Sequence, residues 1–223
     1  MCGRYSLICI DDLGNRFRVH NPMIGARSHF NVSPASEMPV IVRKEKDEVA
    51  LMRWGLVPRW TRDLKAAQRP INARAETLLE KPMFSPLLKS SRCLVPASGF
   101  FEWQKEGRRK VPFYFTVRES PIFAFAGLCD TWTGPDGTML RTYTIITCSP
   151  NELLATVHDR MPVILAQDDE GRWLSHEVLT GPDLRRILAP YPADGMEKVP
   201  VAELVNNPAI DDERVIRPLF GLT

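Results

Sequence analysis

Nineteen prolines punctuate this chain of 223 residues, spread among short apolar runs instead of gathered in one tract. Proline fixes φ and offers no backbone N–H, so it interrupts long helices and interior strands alike. A chain divided in this way reads as a loop-rich fold of many short strands. PVIVRK (39–44) and VALMRW (49–54) read as a hairpin with the charged KEKDE between them. CLVPASGFFEW (93–103), PFYFTV (112–117), IFAFAGLCDTW (122–132) and RTYTIITC (141–148) are strand candidates, with EGRRK and GPDG among the turns. PVIL (162–165) and VPVA (199–202) are late strands. Short helices are expected over 11–20 (begun by an aspartate cap), 72–80, 83–89, 151–157, 168–180 and 182–189. Residues 21–39 read as a loop, and 54–70 as an irregular, aromatic and basic segment. The expected fold class is α+β: a single domain over residues 1–223, with a mainly antiparallel, barrel-like β core and peripheral helices.

Several function classes drop out. A 44% hydrophobic and 25% charged composition excludes a disordered chain or a coiled coil. No apolar run approaches the 18 or so residues of a membrane span. The N-terminus lacks a basic stretch followed by a long apolar one, so the chain is expected in the cytoplasm. A net charge of +2 is too weak to predict nucleic-acid binding by itself, although a local basic groove fits it. Five cysteines without a CxxC pair and four scattered histidines argue against a disulfide framework and a zinc site, so no metal is expected. Cys9, Cys93, Cys129 and Cys148 lie in apolar runs and read as core residues, as do Trp132 and Trp173. GxSxG, Walker A and GxGxxG signatures are absent, and no organic cofactor is implied.

The chemistry therefore falls to a less common group. The chain begins Met1-Cys2-Gly3-Arg4. Methionine aminopeptidase generally removes Met1 before a small second residue, and Cys2 would then carry a free α-amine and a thiol on adjacent carbons. An α-amine has a pKa of roughly 8, so a useful fraction is uncharged near neutrality. It can condense with an aldehyde to a Schiff base, as nucleophilic lysines do. The thiol can then add to the imine and close a five-membered thiazolidine, with the effective-molarity advantage of a held pair. Only an N-terminal cysteine offers both groups. Gly3 lets the chain end bend into a pocket, and Arg4 sets a phosphate-pairing fork beside the nucleophile.

MCGRY at the start, FNVSP (30–34), INARAET (71–77), GFFEW (99–103) and VHDRMPVIL (157–165) occur in that order. Together they resemble the SRAP family (SOS-response-associated peptidase proteins), also described as abasic-site processing proteins, from residue 2 to about 165. The resemblance implies recognition of an abasic site in single-stranded DNA. The ring-opened abasic sugar is an aldehyde, and Cys2 would form a stable thiazolidine crosslink that shields the lesion from strand cleavage. A Schiff base on a lysine would instead promote β-elimination, so the thiol closure separates a protective adduct from a lyase intermediate.

Asn72, Glu102 and His158 are the expected catalytic partners of Cys2. Glu102 sits among aromatics, where desolvation raises a carboxyl pKa, and would protonate the sugar ring oxygen during opening. A surface glutamate is the alternative. Histidine titrates near neutrality, so His158 suits proton shuttling, or else plays a structural part. Asp159 either orients its ring or pairs with Arg160. The family pattern places Asn72 beside the N-terminal cysteine, and an N-cap for a helix from 73 is its other reading. Arg4, Arg59, Trp60, Arg74 and Arg160 are the expected DNA contacts, with Arg62 and Arg69 adding charge and Trp60 stacking on a base. Glu76 is expected to orient Arg74. EGRRK (106–110) adds a basic turn on the rim. The remaining segment, 166–223, carries no chemical signature and is expected to complete the domain. A monomer is expected, with no membrane partner. Two other functions fit the same residues. One is an N-terminal-nucleophile cysteine peptidase or amidohydrolase; a limited self-cleavage that uncovers Cys2 is compatible with the crosslinking reading too. The other is a non-catalytic single-stranded DNA-binding module.

Overall fold

The computed structural model of the protein describes residues 2–8, 10–21 and 27–219. Met1 and Cys9 lie outside the described residues, and with them the expected burial of Cys9. Among the described residues twelve strands are formed: β1 Tyr5–Leu7, β2 His29–Val32, β3 Glu37–Arg43, β4 Asp47–Trp54, β5 Asn72–Arg74, β6 Arg92–Ala97, β7 Gly99–Glu106, β8 Arg109–Val117, β9 Phe123–Thr133, β10 Met139–Cys148, β11 Met161–Pro162 and β12 Met196–Pro200. The helices are short and peripheral: α1 Leu13–Phe17, α2 Ser85–Ser90, α3 Glu152–Ala155, α4 Gln167–Leu174 and α5 Gly181–Ile187.

Strands β10, β4, β3, β6 and β9 pair in that order, and β9 returns to β10, which closes a five-stranded barrel. Closure leaves those strands without a free edge. A second sheet runs β12-β8-β7-β1-β2. The expected α+β class with a barrel-like core describes this arrangement. Most pairings are antiparallel, but β10 takes β4 and β5 in parallel. Both occupy one lane: β4 meets β10 at Thr142 and Tyr143, and β5 meets it at Ile145, Ile146 and Thr147. Between them the chain leaves the sheet at Gly55, whose φ of +121° suits glycine, and returns at Ile71. The irregular segment expected at 54–70 is this excursion.

Four expectations change here. Residues 72–80 have a helical composition, yet 72–74 form β5, because the lane vacated by β4 offers β10 hydrogen-bonding groups that a helix would leave unpaired. A single 3₁₀ turn, Ala75–Thr77, follows. The run 93–103 is two strands in different sheets. The chain switches sheets at Ser98, whose N–H donates to the Ser6 carbonyl at 2.8 Å. Gly99 must follow, since a Cβ there would lie 2.3 Å from the Tyr114 ring. The helix expected at 11–20 shrinks to α1 after a 3₁₀ turn, and the Asp12 side chain makes no cap hydrogen bond. The region read as a loop from 21 to 39 contains β2 and the start of β3.

Aromatic residues join the two layers. The Tyr5 ring lies 5.2 Å from Trp54 and 6.0 Å from Phe125, both edge-on, and its hydroxyl is 2.7 Å from the Tyr143 hydroxyl. Phe100 stacks on Phe115 and meets Phe125 edge-on. Such ring pairs add about 0.5–1.5 kcal/mol each beyond the area they bury. Tyr5 thus pins β1, three residues from Cys2. A smaller core of Phe101, Tyr114, Val201, Val205 and Val215 lies on the other face of β7. The segment without a chemical signature builds that second core and so backs Glu102. Cys93, Cys129, Cys148, Trp132 and Trp173 are buried, as expected.

Candidate active site

Three separate stretches of chain, those of Glu102, Asn72 and His158, gather around Cys2. Tyr5 pairs with Phe100 and Ser6 with Gly99 in antiparallel register, and the Phe101 N–H donates to the Arg4 carbonyl at 3.0 Å. Continuing that register brings residues 2–4 alongside 101–103, so Glu102 belongs beside the chain start. Asn72, at the head of β5, donates from Nδ2 to the Cys2 carbonyl at 2.8 Å. Its Oδ1 is buried and has no hydrogen-bond partner among the described residues. The Asn72 amide is therefore a strand residue with one half engaged and one half available, and no N-cap. His158 follows α3, its backbone N–H donating to the Leu154 carbonyl at 2.8 Å. Its Nε2 stands 4.0 Å from Glu102 Oε2.

The electrostatics follow from burial. Glu102 is 2% exposed on a strand flanked by Phe101 and Trp103. Desolvation raises its carboxyl above the ordinary range. Cys2 is 0% exposed. Burial, and then the negative charge of Glu102, push its thiol far above the ordinary range, so the sulfur is held as a neutral thiol. Its Sγ approaches the Arg4 carbonyl at 4.0 Å.

The expected DNA contacts divide. Arg4 is half-buried, and its Nη1 donates to Asn31 Oδ1 at 3.1 Å. Asn31 in turn donates from Nδ2 to the Asn207 and Ile210 carbonyls, which explains the FNVSP segment as an anchor for Arg4. Arg59 pairs with buried Asp130, Nε to Oδ1 at 2.9 Å, while half its side chain faces solvent. Trp60 is 51% exposed, and Arg62, Arg69 and Arg74 are exposed as well. Arg160 differs: its guanidinium is bidentate to Glu76 at 2.6 and 2.9 Å and donates to the Thr147 carbonyl at 2.7 Å. Glu76 therefore grips Arg160 and not Arg74, and Arg160 turns inward where a DNA contact was expected. Nothing in the sequence pairs two residues 84 positions apart. Asp159 lies with Oδ1 2.9 Å from His158 Nδ1, and the acid that pairs with Arg160 is Glu76.

Among the described residues, no cluster of His, Cys, Asp and Glu is arranged to hold a metal ion, and no helix is long and apolar enough to cross a membrane. The arrangement offers an amide, a carboxyl with a raised pKa and an imidazole around one thiol, which suits covalent capture with local proton transfer.

The chain is similar to known proteins along nearly its whole length. Residues 1–208 match the family model described as SOS response associated peptidase (SRAP). The chain is 41% identical to the Bacillus subtilis protein named abasic site processing protein YoqW, over 97% of this chain and 99% of that one. It is 32% identical to abasic site processing protein HMCES of Xenopus tropicalis, over 80% of this chain and 62% of that one. A crystal structure of a Bacteroides thetaiotaomicron protein superposes with a TM-score of 0.89 at 28% identity, covering 97% of this chain and 99% of that one.

Proposed function

The chain belongs to the SOS response associated peptidase (SRAP) family, and from that membership we propose that it senses abasic sites in DNA and captures them covalently through Cys2. Removal of Met1 hydrolyses one peptide bond and leaves Cys2 with a free α-amine. Glu102 protonates the ring oxygen of the abasic sugar, the bond from that oxygen to C1 breaks, and the C1 hydroxyl gives up its proton to water as it becomes the aldehyde. The amine adds to the aldehyde carbon, water leaves, and a C=N bond forms. The thiol then adds across that bond, sulfur to carbon and hydrogen to nitrogen, giving the thiazolidine. Asn72 holds the Cys2 backbone in register with its Nδ2, and its free Oδ1 is an acceptor for the amine or a sugar hydroxyl. His158 supplies a hydrogen-bonding proton beside Glu102. Arg4, Arg59, Trp60 and Arg74 bind the strand, acting on single-stranded DNA as a monomer in the cytoplasm.

The observation that carries this reading is the 2.8 Å hydrogen bond from Asn72 to the Cys2 carbonyl, which joins a residue at position 72 to the chain start next to Glu102 and His158. The neutral thiol supports an order in which the amine reacts first. The test is incubation of the purified protein with single-stranded abasic DNA, undamaged DNA and an amide substrate. An adduct that survives SDS and heat on abasic DNA only, and is lost in Cys2→Ala, agrees with the proposal. Amide hydrolysis without an adduct points to the peptidase. Binding unchanged in Cys2→Ala, with no adduct in the parent protein, points to a non-catalytic module.

A further inference from the structure

The Glu76–Arg160 pair joins the two segments that carry Asn72 and His158. Glu76 lies in the turn directly after β5, and Arg160 lies two residues beyond His158. The Arg160 side chain is 14% exposed and makes two hydrogen bonds to the carboxylate and one to the Thr147 carbonyl on β10. That bidentate geometry is the strong, orientation-fixing form of an ion pair. Glu76 responds to it: the hydrogen bonds from Arg160 hold its carboxyl below the ordinary range. The pair thus fixes the backbone around residue 160 from two sides.

The fixed group that matters is the Arg160 backbone N–H. It donates to His158 Nδ1 at 3.0 Å. A neutral imidazole carries one N–H, so the nitrogen that accepts this bond is the bare one, and the proton sits on Nε2. Nε2 is the nitrogen that faces Glu102 Oε2. Asp159 Oδ1 also approaches Nδ1, at 2.9 Å, and favours a proton there. The two partners compete for the same nitrogen, but unequally. The Asp159 side chain is 88% exposed, free to turn into solvent, whereas the Arg160 N–H is held by the latch.

We propose that Glu76 and Arg160 are positioning residues for His158, holding the Arg160 backbone N–H against Nδ1 so that the imidazole keeps its proton on Nε2, toward Glu102. His158 then donates a hydrogen bond from Nε2 to the reacting sugar, and proton transfer falls to Glu102. This rests on the reading of His158 as part of the abasic-site machinery.

The test has one arm that needs no DNA. Nitrogen-15 NMR of the His158 ring in the full chain near neutral pH is expected to show Nδ1 bare and Nε2 protonated. In Glu76→Gln and Arg160→Gln that preference is expected to give way to a mixture, and in Glu76→Asp, which keeps the charge, to return. The second arm measures crosslinking. Glu76→Gln is expected to slow adduct formation on abasic single strands by roughly tenfold to hundredfold, the scale of a displaced catalytic group. Its affinity for a strand bearing a tetrahydrofuran abasic analogue, which cannot open to an aldehyde, is expected to stay unchanged, and Glu76→Asp to recover the rate. An Nε2–H tautomer that persists in Glu76→Gln overturns the proposal, as does a loss of affinity parallel to the loss of rate. A parent protein that forms no adduct while the tautomer shifts as stated sinks the function and leaves the latch standing.

Discussion

The cluster around Cys2 and the excursion from Gly55 to Ile71 are built by opposite means. Each group in the cluster sits on a strand or close to one, and the register of β1 with β7 and of β5 with β10 sets its position. Its side chains are largely buried and hydrogen-bonded across long stretches of sequence. The excursion is pinned at its two ends and at separate points between, among them Val57 N–H to Thr142, Arg59 to Asp130, and the Trp132 indole N–H to the Thr61 carbonyl. Between these pins its cations and Trp60 face solvent. Chemistry needs sub-ångström placement, which sheets give, whereas a flexible polyanion is met by exposed charge and an aromatic face that tolerate variation. The contrast predicts that changes in the cluster act on reaction with binding kept, and changes in the loop act on binding with reaction kept.

The largest effect breaks the cluster outright. Cys2→Ala is expected to abolish the denaturant-resistant adduct while affinity for abasic single strands, read by fluorescence anisotropy, stays within about twofold, as expected for a chemical role. Loss of affinity alongside the adduct would blur the two regions into one.

Glu102→Gln comes next. It should slow adduct formation by roughly a hundredfold or more, the scale of a lost general acid, in a rapid-quench time course. The same change should stabilise the fold. A carboxyl raised by burial above its ordinary value of 4.5 holds its proton more tightly in the folded state. Stability is therefore lost as pH rises from 4.5 through the folded value. Glu102→Gln removes that loss, so thermal melts should show it more stable than the parent at pH 7, with the gap closing below the ordinary carboxylate range. A variant less stable than the parent at pH 7 would contradict the burial argument.

How far these regions could be read from the sequence differs as well. The hairpin at 39–54 and the strands at 112–117, 122–132 and 141–148 were legible because their apolar runs are local. The β5 strand was not, since Asn-Ala-Arg-Ala-Glu has a helical composition and becomes a strand only because β10 has a vacant lane. The turn at Ser98 had a signal in Pro96, Ser98 and Gly99, but the apolar residues on both sides made 93–103 read as one strand. Within the cluster, the aminothiol chemistry of Cys2 could be argued from its own atoms. The nearness of Asn72 came through family resemblance, because a contact over 70 positions leaves no periodic trace. The hold of Glu76 on Arg160 had neither kind of signal.

Smaller effects belong to the loop. Trp60→Ala is expected to weaken binding by about 1–3 kcal/mol, the worth of one stacked base, with the adduct rate at saturating DNA unchanged. A slowed rate at saturation would move Trp60 into the cluster. Arg62→Gln and Arg69→Gln should each lower the slope of log affinity against log salt by about 0.7, one phosphate apiece on a single strand. An unchanged slope would place those cations off the DNA path.

Mass spectrometry of the trypsin-digested adduct tests the central claim most directly. The account predicts that the abasic sugar rides on the N-terminal peptide Cys2–Arg4, with Met1 gone, one water lost in forming the bond, and the thiol closed to alkylation. An adduct carried on a lysine, or one at Cys2 whose sulfur still takes up iodoacetamide, would contradict it.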